Sequence, residues 1–447
     1  MLRLPDSLDS RISALIYMAF LFLVAYLVAF FVRPHEWFVL INENSTIIRT
    51  SLILCMGFFV FARRKNFDNP QLLLVTLLTL TVVTSLVASG WVGGAILYGQ
   101  EFVQQVLIPF ILVSGLLSTV GRQYFVFLVV IAASLLMVAN GYVQVSNEDG
   151  IGMLGNPVIR EGSVSRISYL GYLSDPNDLG MFFTMTLPCV FLLKERVPSV
   201  VRPLLWGAIL ALLYGIYLTN SRGTLLATMA LMAFWFWRKY GTNKSFMLGL
   251  VSSPALLIVL TSFRTISADD ESSQGRLEAW YAGYQMFASN PIFGVGQHNF
   301  MDYYELHTAH NSFVLVMSEL GLIGALAWVG LLVVTTVSLI NISEKKFLTD
   351  DMTIDSKTLL QIDQEALIAK SLLYSFIAFM VTGFFLSRTY TPLLYIYLGM
   401  AAACLGRVGQ LLPKGVEVFN VKKVAKYTFA VTIASIFAIY LLLKVFL

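Results

Sequence analysis

Two histidines and their polar neighbours form the segment of this sequence best suited to proton transfer. His307 and His310 lie in the stretch His307–Ser312, immediately before a long apolar run at 312–340. A neutral imidazole in such a place can accept a proton from a hydroxyl nucleophile near neutral pH. The pair could also bind a metal, but no carboxylate or third histidine accompanies it at ligand spacing. A lone histidine at a helix start is more often an interfacial side chain, so two interpretations of His310 stay open.

Two arginines lie where a helix would present them to an anion. Arg222 belongs to the short polar turn Thr219–Thr224 between two apolar runs, so it must lie near a helix end. First-turn amides and a guanidinium together form a ready anion site. Arg276 shares a helical stripe with Ala279 and Gly283, beside an apolar and aromatic stripe typical of a helix lying along the membrane interface. For each arginine, a simple anchor at the lipid headgroups is the alternative.

Acidic residues offer fewer candidates. Glu319 is the only acid that the predicted spans place about two turns inside an apolar run. An intramembrane carboxylate is a functional candidate, and a structural partner for an arginine or a backbone group is an equal alternative. The run Asp269–Glu271 could bind a divalent cation, although such runs in polar loops are usually just solvated. Asp175–Asp178 is predicted to be a turn followed by a helix N-cap, with a structural role.

The composition indicates that membrane helices position these residues. Of 447 residues, 57% are hydrophobic and 13% are charged, which excludes a water-soluble enzyme, a disordered chain and a disulfide scaffold. The three cysteines lie inside apolar runs and are interpreted as small apolar residues that face lipid or the protein core. We predict an all-α polytopic membrane protein, one integral membrane domain over 1–447, with an amphipathic interfacial helix in an outer loop. The predicted spans are 12–32, 46–62, 71–89, 102–119, 124–143, 178–193, 202–219, 222–237, 245–262, 312–340, 368–386, 390–406 and 425–446.

Basic residues orient these spans. With the N-terminus in the cytoplasm, most of the 30 lysines and arginines fall on cytoplasmic segments, and the loops 144–177 and 263–311 lie outside. The first run, 12–32, is predicted to be a retained signal anchor. If 425–446 only lies on the membrane, the span count drops from about thirteen to about twelve. Arginine binds phosphate bidentately, so an outer face rich in arginine indicates an anionic ligand. The outer basic residues are Arg33, Arg49, Arg160, Arg166, Arg222, Arg264, Arg276, Arg388 and Lys444.

Five short motifs follow one another around one outer loop. In chain order they are Ser221-Arg222-Gly223, Gly275-Arg276 followed by Trp280, Asn290–Gly296, His310-Asn311-Ser312 and Glu319-Leu320-Gly321. No single motif is specific, but their order and placement resemble the O-antigen ligase and polymerase superfamily of bacterial membrane glycosyltransferases. The resemblance covers 205–340 best, and elsewhere the chain matches only in having membrane helices.

The resemblance implies a GT-C-like helical fold in the bacterial inner membrane, with no metal and no cofactor. It implies that an undecaprenyl-diphosphate-linked glycan is the donor on the periplasmic face, and that its sugar chain moves to a hydroxyl of a glycan or lipid-linked acceptor. The product would be a surface polysaccharide, either O-antigen or exopolysaccharide. Membrane lipids are the other expected partners, and nucleic acid is not one.

The resemblance also implies roles for individual residues. Arginines corresponding to Arg222 and Arg276 hold the diphosphate, and the histidine corresponding to His310 activates the acceptor. Secondary candidates for contact with the lipid diphosphate or the acceptor are Arg160, Arg166 and Arg388, and Glu319 is a further secondary candidate. The loop 263–311 is shorter than expected for a lipopolysaccharide ligase, and no soluble C-terminal extension is expected. The sequence therefore fits a repeat-unit polymerase about as well as it fits a ligase.

Three other classes of protein compete with this assignment. A polysaccharide transporter or flippase would favour several midplane carboxylates or broken helices in matching halves, whereas here only Glu319 is predicted to be deep. A metal-dependent glycosyltransferase would use the Asp269–Glu271 run. A catalytically silent scaffold in a polysaccharide export complex is the remaining alternative.

Overall fold

The computed structural model describes residues 6–39, 46–61, 69–161, 164–242, 271–305, 308–349, 352, 354–413 and 415–446. The described chain is predominantly α-helical, as predicted, with one antiparallel hairpin of strands β1 (Ile159–Glu161) and β2 (Val164–Arg166). The helices are α1 (Asp6–Phe31), α2 (Thr46–Phe61), α3 (Pro70–Ala88), α4 (Val92–Phe102), α5 (Ile108–Leu116), α6 (Val120–Ser146), α7 (Pro176–Arg196), α8 (Arg202–Leu218), α9 (Arg222–Tyr240), α10 (Glu271–Ser289), α11 (Phe300–Tyr303), α12 (Ser312–Ser343), α13 (Ser356–Gly383), α14 (Pro392–Leu411) and α15 (Val421–Phe446). Short 3₁₀ turns occupy Pro34–Val39 and Gly171–Leu173, and a π-helical turn at Val103–Leu107 joins α4 to α5.

Nine helical stretches among the described residues are long and apolar enough to cross a membrane, which confirms the all-α polytopic membrane class. The predicted spans on described residues each overlap a helical stretch, but those predicted at 102–119 and 368–386 begin earlier, at Val92 and Ser356. The span predicted at 245–262 lies outside the described residues. The count of nine among the described residues is lower than the predicted count of about thirteen for a physical reason. Helices α2 and α8 have only 16 and 17 residues, and α9 begins with Arg222 and has Arg238 and Lys239 in its last turn. The nine stretches are Ala14–Phe31, Pro70–Ala88, Val92–Leu116, Val120–Ser146, Pro176–Arg196, Ser312–Ser343, Ser356–Gly383, Pro392–Leu411 and Val421–Phe446.

The chain divides into two compact units. Unit 1 comprises residues 1–65, 116–265 and 371–382, and its centre is α7, which is buried along almost its whole length. Asp175 caps α7 by accepting a hydrogen bond from the Asn177 amide (2.7 Å), which confirms the predicted cap. Gly180 lets α9 approach α7 closely, since a Cβ there would overlap the Thr224 side chain.

Unit 2 comprises residues 66–115, 266–370 and 383–447. Its central element is α12, which packs against α3, α10, α14 and α15. Helix α12 is not continuous, because Gly321 leaves the helical conformation (φ 62°, ψ −160°).

One prediction about buried acids is wrong. Helix α13 begins at Ser356 rather than near 368, so Glu365 lies within an apolar helix at 1% exposure. Its carboxylate pairs with the Arg407 guanidinium through two contacts of 2.6 and 2.8 Å. Glu319 is therefore not the only deep acid. The sequence pattern missed Glu365 because polar residues at 356–367 continue the helix ahead of the apolar run.

Candidate functional site

The break in α12 is the feature around which the predicted motifs of unit 2 gather. Gly321 adopts a left-handed φ, and a Cβ at this position would overlap the Ile292 carbonyl. Gly294 (φ 69°) is equally close, since its Cβ would overlap the backbone at Glu319. Only glycine tolerates both the conformation and the contact. The loop 290–296 is thus in backbone contact with the middle of the helix.

This loop supplies the hydrogen bonds that the broken helix lacks. A break in an α-helix leaves carbonyls before it and amides after it without partners inside the helix. Here the loop amides donate to the carbonyls, and the loop carbonyls accept from the amides, so α12 and the loop fix each other. The Asn290–Gly296 and Glu319–Gly321 motifs are therefore two sides of one structure. The bonds are Val295 N to Ser318 O (2.9 Å), Gly296 N to Glu319 O (2.9 Å) and Leu322 N to Pro291 O (2.8 Å).

Glu319 lies at the centre of this arrangement, with 3% of its surface exposed. Its carboxyl group faces the backbone amides of His298 and Phe300 and the hydroxyl group of Tyr390. The two amides belong to the loop end and to the first residue of α11. Both interpretations offered by the sequence, a functional carboxylate and a structural partner, stay open, because the Oε2 atom of Glu319 has no hydrogen-bond partner among the described residues.

His310 lies just before the first residue of α12, where it was expected. Its backbone has a left-handed φ of 47°, which is uncommon for a residue with a side chain, and the side chain is half-buried. Asn311 caps α12 by accepting from the amides of Phe313 (2.8 Å) and Val314 (3.2 Å). His307, the other histidine of the motif, lies outside the described residues.

The His310 segment is hydrogen-bonded to the turn that carries Arg388. Four bonds join residues 308–312 to residues 386–389, so the backbone positions of His310 and Arg388 are fixed relative to each other. The sequence, in which they lie far apart, gave no sign of this proximity. The bonds are Thr308 Oγ1 to Ser387 Oγ (2.7 Å), Ser312 Oγ to Leu386 O (2.6 Å), Arg388 N to Ser312 Oγ (2.9 Å) and Thr389 Oγ1 to Ser312 O (2.8 Å).

Arg276 lies on α10, which packs against the same region. Ala279 is fully buried, and a Cβ on Gly283 would overlap Val314, near the start of α12. The Trp280 ring meets the Phe384 ring edge-on, 5.4 Å between centroids, just before the 386–389 turn. Arg276 is half-buried on the stripe of Ala279 and Gly283, about 10 Å along the helix from Gly283. Unit 2 therefore brings together the elements that carry Arg276, His310, Arg388 and Glu319.

In unit 1, Arg222 is the first residue of α9. Ser221 caps the helix by accepting from the Thr224 amide (3.3 Å), and Asn220 before it has a left-handed φ of 47°. The half-buried Arg222 therefore lies in the first turn of a helix, the position expected from the sequence.

Arg166 is buried and holds the Arg222 turn in place. Its Nε donates to the Thr219 carbonyl and its second terminal nitrogen to Asn177 Oδ1, both at 3.0 Å. The Ser221 hydroxyl donates to the same Asn177 oxygen at 2.7 Å. These contacts make Arg166 a positioning residue. Arg160 is exposed on β1 and donates to the Glu148 carbonyl at 3.4 Å.

The sequence interpretation overlooked His298. The imidazole is exposed, yet its ring centroid lies 4.6 Å from that of Tyr98 and 6.5 Å from that of Tyr390. Desolvation by this surrounding protein lowers the pKa of His298 below its ordinary 6.5, with the nearby Glu101 carboxylate opposing the shift. Its place two residues after the Gly294–Gly296 turn was the only signal in the sequence.

Among the described residues, no group of three or more histidine, cysteine, aspartate or glutamate side chains could hold a metal ion. Asp269 and Asp270, on which the metal-dependent alternative rests, lie outside the described residues. Cys55, Cys189 and Cys404 are free and buried, as expected.

Comparison with known families found a matching family model for part of the chain. Residues 207–329 match the family model of the O-antigen ligases, which confirms the resemblance over this part of the chain. The matched segment contains Arg222, Arg276, His310 and Glu319. No curated protein matches the chain.

Proposed function

We propose that this multi-pass membrane protein transfers a glycan from undecaprenyl diphosphate to an acceptor hydroxyl on the periplasmic face of the inner membrane. The O-antigen ligase family match supports a role in polysaccharide biosynthesis. The observation that carries the finer proposal is the hydrogen-bonded junction of residues 308–312 with 386–389. This junction fixes the segment that carries His310 beside the turn that carries Arg388, at the start of α12.

In this reaction the acceptor oxygen attacks the anomeric carbon of the donor sugar while His310 removes the proton of the hydroxyl. The new C–O bond forms as the bond to the diphosphate breaks, and the diphosphate leaves with the electron pair. In-line attack inverts the anomeric configuration. The proton on His310 is then released to water, which restores the base for the next cycle.

The developing charge on the diphosphate is stabilised by arginine. We assign this role to Arg276 and Arg222, with Arg388 as a further cation because its turn is bonded to the His310 segment. Guanidinium groups bind phosphate oxygens bidentately. A diphosphate stabilised in this way is a good leaving group, so the scheme uses neither a general acid nor a metal ion.

Transfer assays on the reconstituted full-length protein test the proposal. His310→Ala and Arg276→Ala should each lower the rate of glycan transfer about a hundredfold or more, since each removes transition-state stabilisation. Arg202→Ala, an exposed arginine on α8, is the matched control. Full transfer by both site variants would overturn the proposal. Transport of the lipid-linked glycan across liposomes by His310→Ala would instead favour a transporter.

Ligase and polymerase share this chemistry and differ in the molecule that supplies the hydroxyl. Deleting the gene separates them. Accumulated lipid-linked single repeats indicate a polymerase, whereas unattached full-length chains indicate a ligase.

A chelator tests the metal-dependent alternative. Loss of glycan transfer in the chelator, with recovery when a divalent cation is added, would favour that alternative.

A further inference from the structure

A strip of aromatic rings runs along the surface of unit 2. The Trp91 side chain is 42% exposed, and its ring centroid lies 5.4 Å from that of Tyr98. The His298 ring lies next to the Tyr98 ring, with 4.6 Å between their centroids, and the Tyr390 ring lies next to that of His298, with 6.5 Å between centroids. Rings from three separate chain segments therefore form one continuous surface, which we call the aromatic strip.

Polar side chains flank the aromatic strip. Glu101 is exposed, and its carboxylate accepts a hydrogen bond of 2.8 Å from the Gln105 side-chain amide. Gln105 lies within the π-helical turn Val103–Leu107, and such turns occur frequently at functional sites. His298 holds a left-handed φ of 67°, a strained conformation of the kind that clusters at binding sites.

The strip leads to the segment that carries His310. Tyr390 directly follows Thr389, whose hydroxyl donates to the Ser312 carbonyl. At the other end, Gly296 lies against Ser89, so the loop 290–296 borders the strip. The topology predicted from the basic residues puts the turn before α4 on the same side of the membrane as His310.

We propose that the aromatic strip binds the acceptor glycan and directs its terminal hydroxyl to His310. The C–H faces of pyranose rings pack on aromatic rings, and their hydroxyl groups bond to carboxylate and amide side chains. In the aromatic strip, Trp91 and Tyr98 would pack against the sugar rings. Glu101 and Gln105 beside them would bond to the sugar hydroxyl groups. An acyl chain would match the rings but leave Glu101 against hydrocarbon, which is costly. This inference deepens the proposed function and rests on it.

Direct binding tests the assignment. The probe is the set of oligosaccharides released by mild acid from the surface polysaccharide of the producing cell, offered to the full-length protein in nanodiscs. Saturation-transfer difference NMR, with saturation in the aromatic region, should show transfer to sugar C–H protons. Trp91→Ala and Tyr98→Ala should each weaken binding about tenfold. Trp91→Phe should restore most of the affinity, since it keeps an aromatic face.

A matched control is the exposed Trp206 on α8, 48% exposed and in contact with Phe191. Trp206→Ala should leave oligosaccharide binding unchanged. Failure of the wild type to bind the oligosaccharides, or equal binding by the Trp91→Ala, Tyr98→Ala double variant, overturns the assignment. So does a Trp91→Ala defect confined to undecaprenyl phosphate, which would make the strip a lipid site.

Transfer kinetics separate this inference from the proposed function. In Trp91→Ala, KM for the acceptor should rise about tenfold with kcat nearly unchanged. If His310→Ala abolishes transfer but Trp91→Ala leaves KM unchanged, the subsite is wrong and the function stands. If oligosaccharide binding depends on Trp91 but His310→Ala transfers normally, the proposed function is wrong and glycan binding stands.

Discussion

At the scale of single residues, the arginines predicted to contact substrate have different environments. Arg222 and Arg276 are half-buried in the first two turns of α9 and α10. Arg166 is buried, and its donors contact a carbonyl and an asparagine side chain. Sequence patterns did not separate these cases, because the side-chain partners come from turns distant in the chain.

Arg166→Ala should therefore act through stability. The truncation leaves the Thr219 carbonyl and the Asn177 oxygen with fewer donors, at a cost of about 1–3 kcal/mol. Thermal unfolding of the purified protein should show the loss. Arg160→Ala removes an exposed arginine from the same hairpin and should change stability by less than about 0.5 kcal/mol. Equal effects of the two substitutions would contradict the positioning role of Arg166.

The lowered pKa of His298 predicts a pH effect. Because desolvation by the surrounding protein opposes the charged form of His298, the unfolded chain takes up a proton at a higher pH than the folded protein does. The stability contribution of His298 is present above pH 6.5 and is lost as the pH falls through the lower folded pKa. Melting temperatures measured on both sides of pH 6.5 should show a smaller acid loss in His298→Asn than in the wild type. Parallel curves would argue against desolvation of this imidazole.

At the scale of elements, apolar runs predicted where the helices lie but not where a helix is interrupted or changes to a π-helical turn. The run 312–340 is predominantly apolar on both sides of Glu319, so its hydropathy does not indicate the break at Gly321. Its cause is a backbone pairing with the loop 290–296, whose members lie about thirty residues away in sequence. Likewise, the hairpin β1–β2 and the π-helical turn depend on tertiary contacts and were not predicted.

Gly321→Ala tests the pairing of loop and helix. The new Cβ would overlap the Ile292 carbonyl in a conformation that favours glycine, so we expect a loss of about 3 kcal/mol or more in unfolding free energy. Gly207→Ala in α8 is the control, since its Cβ would meet no atom within 4 Å and should stabilise the helix by up to about 1 kcal/mol. Chemical denaturation measures both. A tolerated Gly321→Ala would show that the break is not required.

At the scale of the whole molecule, composition and charge predicted a membrane protein and an orientation, and the structure confirms the membrane class. Each compact unit carries some of the predicted site residues. Unit 1 holds Arg222 with Arg166, and unit 2 holds Arg276, His310, Arg388 and Glu319. The candidate residues could be proposed from the sequence because their motifs are local. The buried Glu365–Arg407 pair could not, since it forms between residues 42 positions apart in different helices.

The predicted orientation can be tested by cysteine labelling, because the three native cysteines are buried and should not react. Glu148→Cys and Lys357→Cys introduce single exposed thiols on segments assigned to opposite sides. In spheroplasts, a membrane-impermeant maleimide should label Glu148→Cys at once and Lys357→Cys only after permeabilisation. The unsubstituted protein serves as the background control. The reverse pattern would place the loop 144–177 in the cytoplasm and, by the same alternation of spans, His310 as well, where a periplasmic donor cannot reach it.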